Sequence, residues 1–336
     1  MTHWLKQDLN EPRPGLGVEA RSPGTSVPKL IYQTGVVPQR LQHCIDDIRR
    51  LNPTWEHRVF DNNDGLEFIS THYGPKIRRY YESINPNYGP ARADLFRYLA
   101  LYATGGVYID LKSTMAVPLD SVLQDNDVYL LSRWGPQHPP EIGRHVELFA
   151  IGGVEFEQWY IVAAAGHPFL KAAIDAVLRN IDAYNPVWHS VGKLGVLRLT
   201  GPIAYSLAIA PLLRDHAHRI VDSSRDLGFD YSTFRNQNGS FRYHEHATLF
   251  KQHYSQLATP LVLRGGLQDI FSHAYLIGTE VCRKGMALRA GSVAKNSRAV
   301  TVGPNICQTL PTGIVPTHVH CAGQRVATTG AKYSSR

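Results

Sequence analysis

The sequence predicts an α/β protein, a mixed and mostly parallel sheet flanked by helices, and three observations predict it. From Lys29 onward, short apolar runs of strand length alternate with amphipathic helical stretches. One helical pattern, residues 90–104, passes through a Gly-Gly pair straight into the apolar strand of "GGVYIDLKST" (Gly105 to Thr114). That strand ends in an acid, Asp110, and in open α/β sheets ligands gather at the carboxyl ends of the strands.

Taken in order, the first 27 residues mix charges with Pro and Gly and read as a flexible leader. "KLIYQTG" (Lys29 to Gly35) is an apolar run stopped by Gly and reads as the first strand. In "PQRLQHCIDDIRRLNP", Leu41, Ile45, Ile48 and Leu51 recur at helical spacing until Asn52-Pro53 ends the pattern. "WEHRVFD" alternates like a strand, and "DGLEFISTHY" and Lys76 to Ile84 read as two helices. In "NYGPARADLFRYLALYATGG", Pro90 suits a first helical turn, Leu95, Leu99 and Tyr102 share a buried face, and Gly105 suits the cap. Further on, "DVYLLSRW" and "ELFAIGG" read as strands, and "PFLKAAIDAVLRNI" and "GPIAYSLAIAPLLRD" as helices. The folded domain is expected over 28–260. A basic, loosely structured tail follows over 261–336, where apolar periodicity fades.

The net charge of +7 sits in that tail. From Val281 to the end there are eight Lys or Arg and no Asp or Glu, so the rest sums to −1 (7 minus 8). No basic stripe interleaved with aromatics crosses the body, which argues against nucleic acid as a partner. No apolar run reaches the ~20 residues of a membrane span, and the N-terminal residues show no secretory signal. Four scattered cysteines, Cys44, Cys282, Cys307 and Cys321, fit a reducing compartment. The expected location is cytoplasmic, with the basic tail available for peripheral contact with the inner membrane face.

Asp94 and Arg97 are three residues apart, so they share a helix face and can act together. Taken alone they would be an ordinary exposed salt bridge. Beside a strand-end acid they describe a site for a sugar attached to phosphate, because guanidinium matches phosphate oxygens and carboxylate accepts from sugar hydroxyls. Lys112 could equally be a solvated lysine, and Trp134, Trp159 and Trp188 are first of all core or rim aromatics. His244, His246 and His253 have spacing that a metal site would permit.

"ARADLFRYLALYATGGVYIDLK" (Ala91 to Lys112) resembles the segment shared by glycosyltransferases with a DXD sugar-binding region. That family includes initiating α-1,6-mannosyltransferases, mannosyl-phosphorylinositol-ceramide synthases and capsular polysaccharide enzymes. "PKLIYQTG", "AAAGHPFL" and "TGP" extend the resemblance over roughly Lys29 to Tyr254. It implies a GT-A-type, Rossmann-like fold and a nucleotide-diphospho-sugar donor, GDP-mannose or a UDP-sugar. It also implies a glycan or lipid-linked acceptor and transfer with retention of configuration. Asp94 and Arg97 would hold the donor sugar and its phosphates, with Gly106 in the same donor-binding segment. Asp110 would stand by the ribose and a Mn²⁺ or Mg²⁺ ion, and Ile31 and Gln33 near base and ribose. Gln158 would lie on the reacting face of the sugar.

The departure is Lys112, which stands where the family's second acid ligates the metal. A hard cation wants oxygen donors, and an ammonium offers none. Either Lys112 takes over the electrostatic work at the leaving diphosphate, or Asp110 with distant ligands such as His253 holds a weaker metal. A non-catalytic nucleotide-sugar-binding protein is the alternative to an enzyme.

Overall fold

The structure is a computed structural model that describes residues 16–234 and 253–264. Its frame is a six-stranded sheet in the order β2-β1-β3-β6-β5-β7. The strands are β1 (Leu30–Thr34), β2 (Glu56–Phe60), β3 (Gly106–Ile109), β5 (Tyr129–Leu131), β6 (Tyr160–Ala163) and β7 (Arg219–Ile220). β1 pairs parallel with β2 and β3, and β5 with β7, while β6 runs antiparallel to both its neighbours. β6 is therefore the one reversed strand of this sheet. The mixed, mostly parallel α/β class read from the sequence is what the chain adopts. β4 (Thr114–Met115) and β8 (Phe229–Asp230) form a separate antiparallel ribbon just beyond β3.

Two apolar layers cover the sheet. One packs α2 (Asn62–Ser83), α3 (Gly89–Thr104) and α4 (Pro168–Asp182) with Tyr32, Tyr108 and Ile161. The other sets Ile48 of α1 (Gln42–Leu51) and Trp55 against Ile31, Val107, Ile109 and Val162. β1 shows the period-2 logic, with Tyr32 facing one layer and Ile31 the other. α3 is buried nearly all round, which is why its polar pair, Asp94 and Arg97, cannot be ordinary surface charge. α2 contains both helices expected there, continuous except at Gly74 (φ 71), where Pro75 restarts the helix. The Gly-Gly pair has separate reasons. A Cβ at Gly105 would lie 2.7 Å from the Ala165 nitrogen, and one at Gly106 would lie 2.6 Å from the Leu30 carbonyl oxygen. Both have positive φ.

Several expectations are corrected. "ELFAIGG" is not a strand, because Val146–Ile151 is a 3-10 turn capped by Gly152 in the left-handed region. The leader expected over 1–27 is, from Leu16, laid on the domain: Val18 is buried, and the Arg21 N–H donates to the Tyr102 hydroxyl at 3.0 Å. The domain does not end at 260 either, since Leu261 is buried and Val262 bridges Ile84. Residues 265–336, which make up most of the predicted tail, lie outside the described residues, as do His244 and His246. Among the described residues α4 is followed by α5 (Pro186–His189), α6 (Gly192–Leu199) and α7 (Pro202–Ile209). By length and composition Gly192–Leu212 could cross a membrane, contrary to the sequence reading. It is broken between α6 and α7, and just over half of it is buried in the fold.

Candidate active site

Asp110 follows the last residue of β3, and its N–H donates to the Trp159 carbonyl at 2.9 Å, which extends the β3–β6 pairing by one residue. Its carbonyl accepts from the Ser113 N–H at 3.0 Å, so the chain turns sharply and brings Lys112 back beside it. α3 lies under this carboxyl edge. Arg97 Nη2 is 3.2 Å from Asp94 Oδ1 and 3.1 Å from Asp110 Oδ1, with the guanidinium over the Tyr108 ring at 4.3 Å. Arg97 Nη1 donates to the Gln158 carbonyl and Nε to the Ala93 carbonyl. Asp94 and Arg97 are 3% and 4% exposed.

Asp94 is the hub of a second shell of bonds. Its Oδ1 accepts from Gln158 Nε2 at 3.1 Å and its Oδ2 from the Thr200 hydroxyl at 2.9 Å. The Tyr98 hydroxyl lies 2.6 Å from Gln158 Oε1 and 2.9 Å from the Thr200 carbonyl, donating to one at a time. Burial pushes the Asp94 carboxyl up, and Arg97 and Thr200 pull it back only in part.

Lys112 is not a solvated lysine. Its Nζ is 3.5 Å from Asp110 Oδ2 and 4.3 Å from the centre of the Tyr231 ring, with the side chain 16% exposed. Burial disfavours the ammonium, but Tyr231 and Asp110 outweigh it and hold the pKa above the ordinary lysine value. Tyr254 stands near this corner, where burial pushes its phenol up and the Lys112 ammonium pulls it back only in part.

Gln33 completes the floor. Its Nε2 donates to the Asp110 carbonyl at 3.3 Å, and its Oε1 is 2.9 Å from His57 Nε2. Burial lowers the His57 pKa to about 4, so the ring is neutral and donates to Gln33.

Asp94, Arg97, Asp110, Lys112, Gln158 and Gln33 therefore form one cluster. Three other expected residues stand elsewhere. Gly106 is at the amino end of β3, the end away from Asp110, and its backbone geometry accounts for the glycine. Ile31 pairs with Val107 deep in the sheet and is fully buried in the α1-side layer. The His253 ring turns to its own turn, with Nδ1 2.6 Å from the Ser255 hydroxyl. Arg97 is placed at the site, but as the buried link between two carboxylates, with its donors engaged inside the protein. Sequence reasoning missed Tyr108, Tyr98, Thr200, Tyr231 and Tyr254. Tyr108 was within reach of a pattern argument, being two residues before Asp110 on the same strand face. Thr200 lay in the "TGP" match without an assigned role. Tyr231 and Tyr254 arrive from distant loops and leave no local signal.

The donor set at Asp110 does not fit a hard divalent cation. One carboxylate oxygen faces Arg97 and the other Lys112. Among the described residues no three His, Cys, Asp or Glu side chains gather into a metal site.

The acid–arginine–acid cluster, with Asp94 and Arg97 buried and Asp110 partly exposed, stands at the carboxyl edge of a mixed α/β sheet, where ligands bind in open α/β proteins. The family model described as "Glycosyltransferase sugar-binding region containing DXD motif" matches residues 38–129, so over that segment the chain is similar to this family. Inositol phosphoceramide mannosyltransferase 3 of Schizosaccharomyces pombe is 30% identical over 190 residues, 54% of this chain and 44% of the relative. Inositol phosphoceramide mannosyltransferase 2 of the same organism is 33% identical over 257 residues, 69% of this chain and 65% of the relative. The initiation-specific α-1,6-mannosyltransferase of that yeast is 28% identical over 202 residues, 56% and 49% of the two chains. The chain thus spans about half the length of several curated relatives it matches. Among solved structures, the PaToxG glycosyltransferase aligns with a TM-score of 0.42 at 14% identity, over 57% of this chain and 72% of that one.

Proposed function

We propose that this chain is a GT-A-type glycosyltransferase that moves a hexose, mannose, from a nucleotide-diphospho-sugar to a hydroxyl of a glycan or lipid-linked acceptor, with retention of configuration. The observation that carries the reading is Asp110, held at the carboxyl edge of β3 between Arg97 and Lys112. The names of the relatives, all mannosyltransferases among those above, support the sugar.

A charge count explains how the site works with lysine at position 112. In an Asp-x-Asp site the second acid (−1) and its divalent cation (+2) together contribute +1. Lys112 alone contributes +1, in a place where its neighbours keep it protonated. With Asp94 and Asp110 against Arg97 and Lys112, the free cluster is neutral, and the ammonium is the cation on the partly exposed side. It stabilises negative charge as the diphosphate departs. Arg97 fixes the Asp94 and Asp110 carboxylates, and Gln158, gripped by Asp94 and Tyr98, is oriented before substrate arrives. Retention then follows from front-face attack, in which the leaving diphosphate takes the proton of the acceptor hydroxyl. Glu157, the acid adjacent to Gln158, is bonded to the Ser132 hydroxyl, and burial raises its pKa, so it is poorly suited to be a nucleophile.

The test is release of free sugar from a panel of GDP- and UDP-sugars, with EDTA and with Mn²⁺. Turnover of GDP-mannose that survives EDTA supports the reading. Saturable nucleotide-sugar binding without turnover would establish the alternative, a non-catalytic binding protein. That alternative is favoured by one observation, that all three Arg97 nitrogens already contact partners within the protein.

A further inference from the structure

Single exposed apolar side chains are ordinary, but a group of large ones drawn together from three elements is not. Phe149 and Val146, both 86% exposed, stand on the turn Val146–Ile151, Trp188 (59%) and Val187 on α5, and Leu194 on α6. One guanidinium gathers them. Arg198 of α6 donates to Glu147 Oε1 from Nε at 2.8 Å and from Nη2 at 2.6 Å, and Nη1 reaches the Trp188 carbonyl at 3.5 Å. Leu194 lies four residues before Arg198, on the same helix face. The half-buried Arg198 and its buried partner Glu147 thus tie the 146–151 turn, α5 and α6 together, and the apolar side chains named above are exposed on them.

On the turn and on α5 and α6 the exposed charge is basic, while two exposed acids, Glu141 and Asp182, stand just outside these elements. Glu147, the acid of the turn, is buried against Arg198 and shows no carboxylate to solvent. From Ala183 to Arg214 there is no Asp or Glu, while Lys193, exposed beside Leu194, is a cation. Arg144, also exposed, precedes the turn. Phe and Trp flanked by cations, with no exposed acid on the turn or on α5 and α6, match the surface of an anionic bilayer, where aromatics enter the headgroup layer and Lys and Arg meet lipid charge.

The geometry points to the patch formed by Val146, Phe149, Val187, Trp188 and Leu194 as a docking surface for an anionic membrane. Its carriers run directly into the site. Past the 146–151 turn the chain reaches Gln158, and past α6 it reaches Thr200, both bonded to Asp94. Docking therefore sets the edge that would receive the acceptor close to the bilayer. This last clause rests on the transferase reading, whereas the docking surface does not.

The test is flotation of the full chain with phosphatidylcholine vesicles, with and without about 30% phosphatidylserine, at low and high salt. The wild type should float with the anionic vesicles. Phe149→Ser combined with Trp188→Ser should lower its partition coefficient about tenfold or more. Lys193→Glu should give a smaller loss that salt erases. Brominated lipid should quench tryptophan emission in the wild type and less in Trp188→Phe. The replaced side chains are exposed, so an unchanged circular dichroism melt will show that the variants fold. No flotation of the wild type overturns the proposal, and so does undiminished flotation of the double variant, which would put the lipid contact elsewhere in the chain. Dimerisation abolished by Phe149→Ser, without lipid binding, would assign the patch to a second copy and also overturns it. Flotation is read without donor sugar, so its failure leaves the transferase reading standing, and failed turnover leaves the docking surface standing.

Discussion

Lys112→Met tests the charge argument most directly. The substitution keeps the length and apolar stem of the side chain and removes the ammonium 3.5 Å from Asp110 Oδ2. At that distance, with an effective dielectric near 20, the gross attraction is about 5 kcal/mol. Desolvation of a side chain only 16% exposed offsets most of it, and Asp110 keeps Arg97 as a partner. The net loss of stability should therefore be only about 1–2 kcal/mol. The loss in turnover should be larger, ~10²–10³ in kcat, because a preorganised charge at a departing group acts mainly in the transition state. Lys112→Asp should behave differently. Without metal its second carboxylate repels Asp110, and with Mn²⁺ both the melting temperature and the turnover should rise. Melting curves and single-turnover donor hydrolysis, each with EDTA and with Mn²⁺, measure all of this. Wild-type turnover abolished by EDTA, or a wild-type melting temperature raised by Mn²⁺, would refute the reasoning.

Other perturbations probe the supports of the site. Thr200→Val removes the 2.9 Å bond to the buried Asp94 carboxylate and should cost about 1–3 kcal/mol in chemical denaturation; an unchanged midpoint would show that the bond contributes nothing. Gly106→Ala places a Cβ 2.6 Å from the Leu30 carbonyl at a φ of +115° and should cost at least about 2 kcal/mol, although the residue is remote from Asp110. His57 has a pKa lowered from 6.5 to about 4. Its contribution is complete above pH 6.5, where the folded and unfolded rings are both neutral. It is lost as the pH falls from 6.5 toward 4, because the unfolded ring takes the proton first, a difference of about 3 kcal/mol. His57→Gln should flatten the stability profile in that window, and an unchanged slope would remove His57 as its source.

The α/β class, the strand that delivers Asp110 and the helix that carries Asp94 and Arg97 were legible because each rests on local pattern. The apolar period lies between a helix-starting Pro90 and a capping Gly105, 15 residues apart. Gln158 and Gln33 were reachable through family resemblance, and the structure bonds Gln33 to Asp110 and Gln158 to Asp94. Ile31 and Gly106 were assigned through family resemblance alone, and strand direction and register put both toward the amino ends of their strands, away from Asp110. "ELFAIGG" has the apolar content of a strand, but its Gly pair lets the chain close into a turn, with Gly152 in the left-handed region as its cap.

By itself, the sequence determined which chemistry is present: two acids and an arginine on consecutive elements, with a lysine where an acid would hold a metal. Only the tertiary structure decided what those groups do to one another. Burial turned an i, i+3 pair that would be worth little in water into a closed network through Gln158, Tyr98 and Thr200. Tyr231, 119 residues beyond Lys112, brought the ring that helps keep its ammonium charged. Such contacts depend on loops meeting in space, and the free energy of a charge depends on what surrounds it, so neither is encoded in spacing along the chain.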